Sequence, residues 1–169
     1  NNERFGFGRS SKRSKLYPYI TSAVIANVLK IAKNKPFDFT INLSIEDIVD
    51  SRINKMIIES VSKYKSDQNN IIFEITESEN IHDFGEVQDF IRSVKKLGCQ
   101  IAIDDFGSGY SNFEYLVKLD IDFVKVDGSL IKNIARDENI RKIVKVILNF
   151  AREMKYKTVA EYIDSEEVF

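Results

Sequence analysis

The stretch FDFTINLS, Phe37–Ser44, alternates between two kinds of side chain. Phe37, Phe39, Ile41 and Leu43 fall on one face, and Thr40, Asn42 and Ser44 on the other. Alternation with period two marks a strand with one buried face. In a doubly wound sheet both faces are covered, and strands read as near-continuous apolar runs. Here the second face is mostly polar, and it stays so along the chain: Glu74, Thr76, Ala102, Asp104, Lys125, Asp127 and Glu161. Polar groups on the inner face near strand ends suit the mouth of a parallel barrel. The doubly wound sheet remains the alternative.

Working outward, the same grammar repeats. Ile20, Val24, Ile25, Val28, Leu29 and Ala32 recur at three and four and predict a helix over Tyr19–Lys33, ended by Pro36. Ser44 with Asp47 reads as an N-cap, followed by one helical stripe of Ile48, Val49, Ile53, Met56, Ile57 and Val61. Further strands are predicted at Asn70–Ser78, Cys99–Gly107, Asp122–Gly128 and Lys157–Ile163. The helices between them carry stripes from Phe84 to Leu97, stopped by Gly98, then Phe113–Leu119, then Ser129–Met154 with a polar break near Arg136–Asn139. DSEEVF opens another helix. Strand and helix alternating in this way mean parallel strands with crossover helices. A complete eight-unit barrel takes about 250 residues. These 169 residues supply about five units and enter a sixth. The expected fold is therefore α/β, a (β/α)8 TIM-like barrel incomplete at both ends. Residues 1–14 read as a loop or poorly ordered start, with Arg9, Lys12, Arg13 and Lys15 solvated. The domain proper spans 15–169.

Composition narrows the chemistry. The 25 basic and 26 acidic residues cancel, so no global field recruits a DNA or RNA duplex. Cys99 is the only cysteine and His82 the only histidine. That excludes a disulfide framework, thiolate zinc sites and Ser-His-Asp catalysis. No apolar run reaches the ~18 residues of a membrane span. The expected compartment is the cytoplasm; a membrane tether outside these residues is compatible with it. Any chemistry must then rest on carboxylates, amides, hydroxyls and lysine, which suit hard divalent cations.

Such groups converge. In a barrel the C-terminal strand ends build the site. Asn42, Glu74, Asp104 with Asp105, Lys125 with Asp127, and Glu161 all fall there. Each alone has an ordinary explanation: a helix cap, a surface carboxylate, a turn former, or a Lys125–Asp127 pair. Together they place four or five negative charges against one lysine. Carboxylates so crowded raise one another's pKa unless cations intervene. One or two divalent ions would balance them. Phosphoester hydrolysis and enolate chemistry both use such a set.

The segments TINLS (Thr40–Ser44), FEITES (Phe73–Ser78), IDDFGSGYSNFEYL (Ile103–Leu116), DFVKVDGSLI (Asp122–Ile131) and VAEYID (Val159–Asp164) resemble, in order and spacing, the EAL domain family. The resemblance implies a cyclic-guanylate-specific phosphodiesterase that hydrolyses cyclic di-GMP to linear pGpG with Mg²⁺ or Mn²⁺, on a modified barrel with a two-metal site. It implies that Asn42 and Glu74 bind the first metal, that Asp104 bridges both, and that Asp105 binds the second. Lys125 would orient the attacking water or the phosphate, and Glu161 would bind metal or metal-bound water. Glu77 would hold the loop Phe106–Asn112, which in the family links metals, substrate and a partner subunit. The implied partners are cyclic di-GMP, a second copy in a homodimer, and sensor or cyclase-like domains of a longer signalling protein.

Three departures stand out. The Glu-Ala-Leu signature is not in these residues. The family's Ala-Glu-Gly-Val-Glu reads Ala160-Glu161-Tyr162-Ile163-Asp164. The last family strands, with a substrate-positioning Gln, lie past Phe169. These motivate an alternative, a catalytically silent EAL domain that binds the nucleotide or a protein partner and relays a signal. Ser108, in place of the usual Thr, keeps the hydroxyl. Cys99 reads as a small buried hydrophobe and His82 as a surface residue.

Overall fold

The computed structural model describes residues 17–33, 35–64, 70–76, 84–109 and 113–163. The elements run α1 (Tyr17–Ala32), β1 (Phe39–Leu43), α2 (Ile45–Val49), α3 (Ser51–Tyr64), β2 (Ile71–Thr76), α4 (Phe84–Lys96), β3 (Gln100–Phe106), α5 (Phe113–Lys118), β4 (Phe123–Val126), α6 (Gly128–Asn133), α7 (Glu138–Glu153) and β5 (Lys157–Ala160). All four strand pairings are parallel, and the sheet order is β1-β2-β3-β4-β5. A doubly wound sheet reverses its order at a switch point. This sheet never reverses, which is the winding of a barrel arc.

Register sorts the side chains into two layers. Ile41, Phe73 and Ile101 lie side by side, and Leu43, Ile75, Ile103 and Val124 form the next row. All are buried against the helices. Phe73 meets Phe90 of α4 edge to face at 5.9 Å. Burying each such side chain contributes about 1.5–3 kcal/mol. A second aromatic series, Phe106–Phe113–Phe150–Tyr156, joins β3 to α5 and α7 through edge contacts at 5.3, 4.8 and 6.3 Å. It ends with the Tyr156 hydroxyl donating to the Leu116 carbonyl at 2.8 Å. Cys99 is buried, as its position opening a strand suggests.

Two local expectations are corrected. Phe37 is 64% exposed and precedes β1, so it does not share the buried face of Ile41 and Leu43. The single helix expected after Ser44 is two. Asp50 leaves helical geometry at ψ 107, and its carboxylate accepts from the backbone N–H of Arg52 and of Ile53. It thereby caps α3 and stops α2. Met56, placed on the stripe, is 39% exposed: the buried row of α3 runs Ile53, Ile57 and Val61 at intervals of four, and Met56 lies beside it. The Ser44 capping box and the break between α6 and α7 form as expected. Residues 1–14, Glu77, His82 and the helix expected at DSEEVF lie outside the described residues. No helix among the described residues is long and apolar enough to cross a membrane.

Candidate active site

The polar face of the sheet gathers the expected residues. Asn42 is the register partner of Glu74, and Thr76 of Asp104. Lys125 is the partner of Val159, two residues before Glu161. Consecutive strand residues ordinarily point to opposite faces, so Asp104 and Asp105 should diverge. They do not, because the β3–β4 register shifts between Ile103 and Phe106. Two residues of β3 there oppose Lys125 alone. Asp105 takes φ 55, a left-handed conformation that Asp tolerates better than most residues. Its N–H donates to Asp104 Oδ1 at 3.0 Å. The bulge thus turns both carboxylates to one side. One carboxylate oxygen each from Asp104, Asp105 and Glu161 lie within 4.8 Å of one another.

Lys125 stands among these groups. Its Nζ lies 2.8 Å from Asp104 Oδ1, 2.9 Å from Glu161 Oε1 and 3.2 Å from Glu74 Oε1. Its side chain is 14% exposed and that of Glu74 8%. Burial acts to depress the lysine pKa, but hydrogen bonding to Asp104 and Glu161 prevails and the net shift is upward. Glu74 is raised, mainly by burial; Lys125 opposes this, while Asp104 and Glu161 add to it. Asp105 is raised by burial and by the Asp104 charge beside it. The pairing of Lys125 with Asp127 that the sequence also allowed is not seen. Asp127 caps α6, accepting from the Ser129 N–H at 2.8 Å.

Asn42 is exposed on β1 beside Glu74. Glu74, Asp104, Asp105, Lys125 and Glu161 therefore come together at one end of the sheet with Asn42 next to Glu74 in register, and Glu77 lies outside the described residues. Among the described residues, four carboxylates against one ammonium make an acidic, partly enclosed group of hard oxygen donors. That donor set fits Mg²⁺ or Mn²⁺ and is poor for softer metals.

The family model described as EAL domain matches residues 6–169. The chain belongs to the EAL domain family. Cyclic di-GMP phosphodiesterase PdeF of Escherichia coli K12 is 37% identical over 137 residues, 81% of this chain and 18% of PdeF. Cyclic di-GMP phosphodiesterase PdeB of Shewanella oneidensis is 32% identical over 167 residues, 96% of this chain and 20% of PdeB. This EAL chain thus spans about a fifth of the length of those relatives. Among solved structures, the EAL enzyme Bd1971 in its cAMP- and cyclic-di-GMP-bound form superposes with TM-score 0.82 at 26% identity, over 93% of this chain and 45% of that one. A standalone EAL protein from Vibrio cholerae O395, in its c-di-GMP-bound form, gives TM-score 0.74 at 29% identity, over 89% and 65%.

The sequence pattern missed two things. The bulge could have been read from the acidic pair itself: neighbours on a strand share a face only where the strand is irregular. The other is the Lys95 group, at the opposite end of the sheet. Lys95 Nζ contacts Asp120 Oδ1 at 2.8 Å and Asp122 Oδ1 at 3.0 Å, and Asp122 Oδ2 accepts from Ile101 N–H at 2.8 Å. It ties α4 to the starts of β3 and β4 and has no part in the mouth.

Proposed function

We propose that this EAL domain is a divalent-metal-dependent phosphodiesterase that hydrolyses cyclic di-GMP to linear pGpG. The observation that carries the reading is the carboxylate group Asp104, Asp105 and Glu161 assembled around Lys125. The names of PdeF and PdeB support the substrate. Asp104, Asp105 and Glu161 would hold Mg²⁺ or Mn²⁺, one ion or a pair, with Glu74 and Asn42 completing the set. When bound, such ions lower the pKa of coordinated water and offset charge on the phosphoryl oxygens.

The protein's own groups supply the rest. Lys125 fixes the orientation of Glu74, Asp104 and Glu161 through three contacts, so their lone pairs are arranged before substrate arrives. Its ammonium adds positive charge where the phosphodiester docks. Glu161, held through Oε1 by Lys125, would accept the proton of the attacking water. Attack at phosphorus forms a bond to the water oxygen as the P–O3′ bond breaks, leaves the phosphate on the 5′ side and releases O3′ as a hydroxyl, which takes up the proton that Glu161 accepted. In this reading Glu77 would hold the loop after β3. The reading carries with it a homodimer and a longer signalling protein, in the cytoplasm.

The test incubates full-length protein with cyclic di-GMP and Mg²⁺ or Mn²⁺ and separates products by chromatography. Formation of pGpG, lost in Asp104→Asn together with metal binding, is the expected result. Saturable nucleotide binding by calorimetry with no turnover would replace the enzyme by a silent binding module.

A further inference from the structure

Tyr162 follows Glu161 directly and has φ 55, a left-handed conformation that favours glycine. What holds an aromatic residue there is visible around its ring. A Cβ built on Gly128 would lie 2.2 Å from Tyr162 Cδ2 and 3.0 Å from both Cγ and Cε2. The ring therefore presents an edge to the bare Cα of Gly128 and fills the space a side chain would take. Lys132 Nζ, one helical turn on, sits 4.5 Å from the ring centroid. Gly128 has no left-handed φ of its own to explain it. It opens α6, where alanine is ordinarily at least as good.

We propose that Gly128, Lys132 and the Tyr162 ring form an interlock that positions Glu161 on Lys125 and within the Asp104–Asp105 group. The proposal rests on the reading of Glu161 as part of the metal-binding set. β5 ends at Ala160, so Glu161 has no ladder pairing to fix it. Its orientation depends on the turn at Tyr162, and the ring anchors that turn to α6. Gly128 and Tyr162 are then matched in size. A methyl group at 128 must move the ring, and moving the ring releases the turn.

The test is a double-mutant cycle in the full-length protein, using Gly128→Ala, Tyr162→Gly and both together. Mn²⁺ affinity is read from the electron paramagnetic resonance signal of free Mn²⁺, beside thermal melts. Gly128→Ala is expected to weaken Mn²⁺ binding about tenfold and to lower Tm. In the Tyr162→Gly background the same change should alter affinity less than about twofold and leave Tm unchanged or higher. Tyr162→Phe, which keeps the ring, should stay within about threefold of the parent. Equal effects of Gly128→Ala in both backgrounds would overturn the interlock. A lowered Tm with unaltered Mn²⁺ affinity would reduce it to a structural contact. A crystal structure of metal-free Gly128→Ala separates this inference from the metal reading. Loss of the 2.9 Å Glu161–Lys125 contact is expected, and its retention refutes the positioning role even if the parent binds no Mn²⁺.

Discussion

At the scale of single residues, Lys125 decides how the acidic group survives without metal. Its ammonium meets Asp104, Glu161 and Glu74 within 3.2 Å and is largely shielded from water. Removing one partner of a buried charge group costs about 3–5 kcal/mol, because the remaining charges stay buried and unpaired. Lys125→Met keeps the stem and deletes the charge. In chelator its Tm should fall by roughly 6–20 °C for a domain of this size. Mn²⁺ should restore much of that loss and shift the variant's Tm by more than the parent's, since cations then supply the missing charge. Turnover should fall at least about a hundredfold. Melts with and without Mn²⁺ check this; an unaltered Tm in chelator would show that the three contacts contribute little. The residue scale is also where the sequence was least legible. That Lys125 belongs to the mouth follows from its face on β4. That it pairs with three carboxylates from β2, β3 and the end of β5, and not with nearby Asp127, depends on register and on the Asp127 cap, neither of which alternation encodes.

Among the elements, β3 and the turn after it carry the geometry. Their alternation was legible because Ile101 and Ile103 are buried while Asp104 faces the mouth. The bulge left one trace in the sequence, the adjacent acidic pair, but its position shows only in the pairing with β4. Gly107 has φ 97, and a Cβ there would lie 2.5 Å from Leu130 Cδ1 and 3.3 Å from Ile147 Cδ1. Gly107→Ala therefore combines a disfavoured φ with overpacking against α6 and α7. About 2–4 kcal/mol of stability should be lost. The midpoint of urea unfolding should drop with the m-value unchanged. Turnover should fall too, because Asp105 is two residues away on the same bulge. On α3 the Asp50 cap gives a pH signature. Hydrogen bonding to Arg52 holds the Asp50 carboxyl at about 2, below its ordinary 3.8. A carboxyl depressed in the folded state stabilises above its unfolded pKa and loses that contribution as pH falls through the folded value. The Tm difference between parent and Asp50→Ala should thus be full at pH 7, shrink between about 4 and about 2, and vanish below. A difference constant down to pH 2 would remove the charge from the cap's role.

For the molecule as a whole, five parallel strands in unbroken order act as a frame that delivers one polar row to one end. That much was open to a reader of the sequence, because periodicity and polarity of the inner face repeat strand by strand. What the frame adds is convergence: Glu74, the Asp104–Asp105 pair and Glu161 arrive from three segments, and among the described residues Lys125 is the cation that contacts them. Folding must bring these charges together, so the acidic mouth opposes the native state when no cation is bound. Binding a divalent ion to the native state alone then stabilises the fold by mass action, by about 2.7 kcal/mol at a hundredfold excess over Kd. A Tm increase of roughly 5–10 °C on adding Mn²⁺ is the corresponding expectation. The increase should saturate with concentration, since it reports site occupancy and not ionic strength. Matching ionic strength with sodium chloride should give much less, because screening acts weakly on groups this shielded. Asp104→Asn removes one charge from the crowd and one strong ligand. It should raise the chelator-state Tm or leave it unchanged while cancelling most of the Mn²⁺ increment. The opposite pattern, a lower starting Tm with an undiminished increment, would place the ion elsewhere on the molecule.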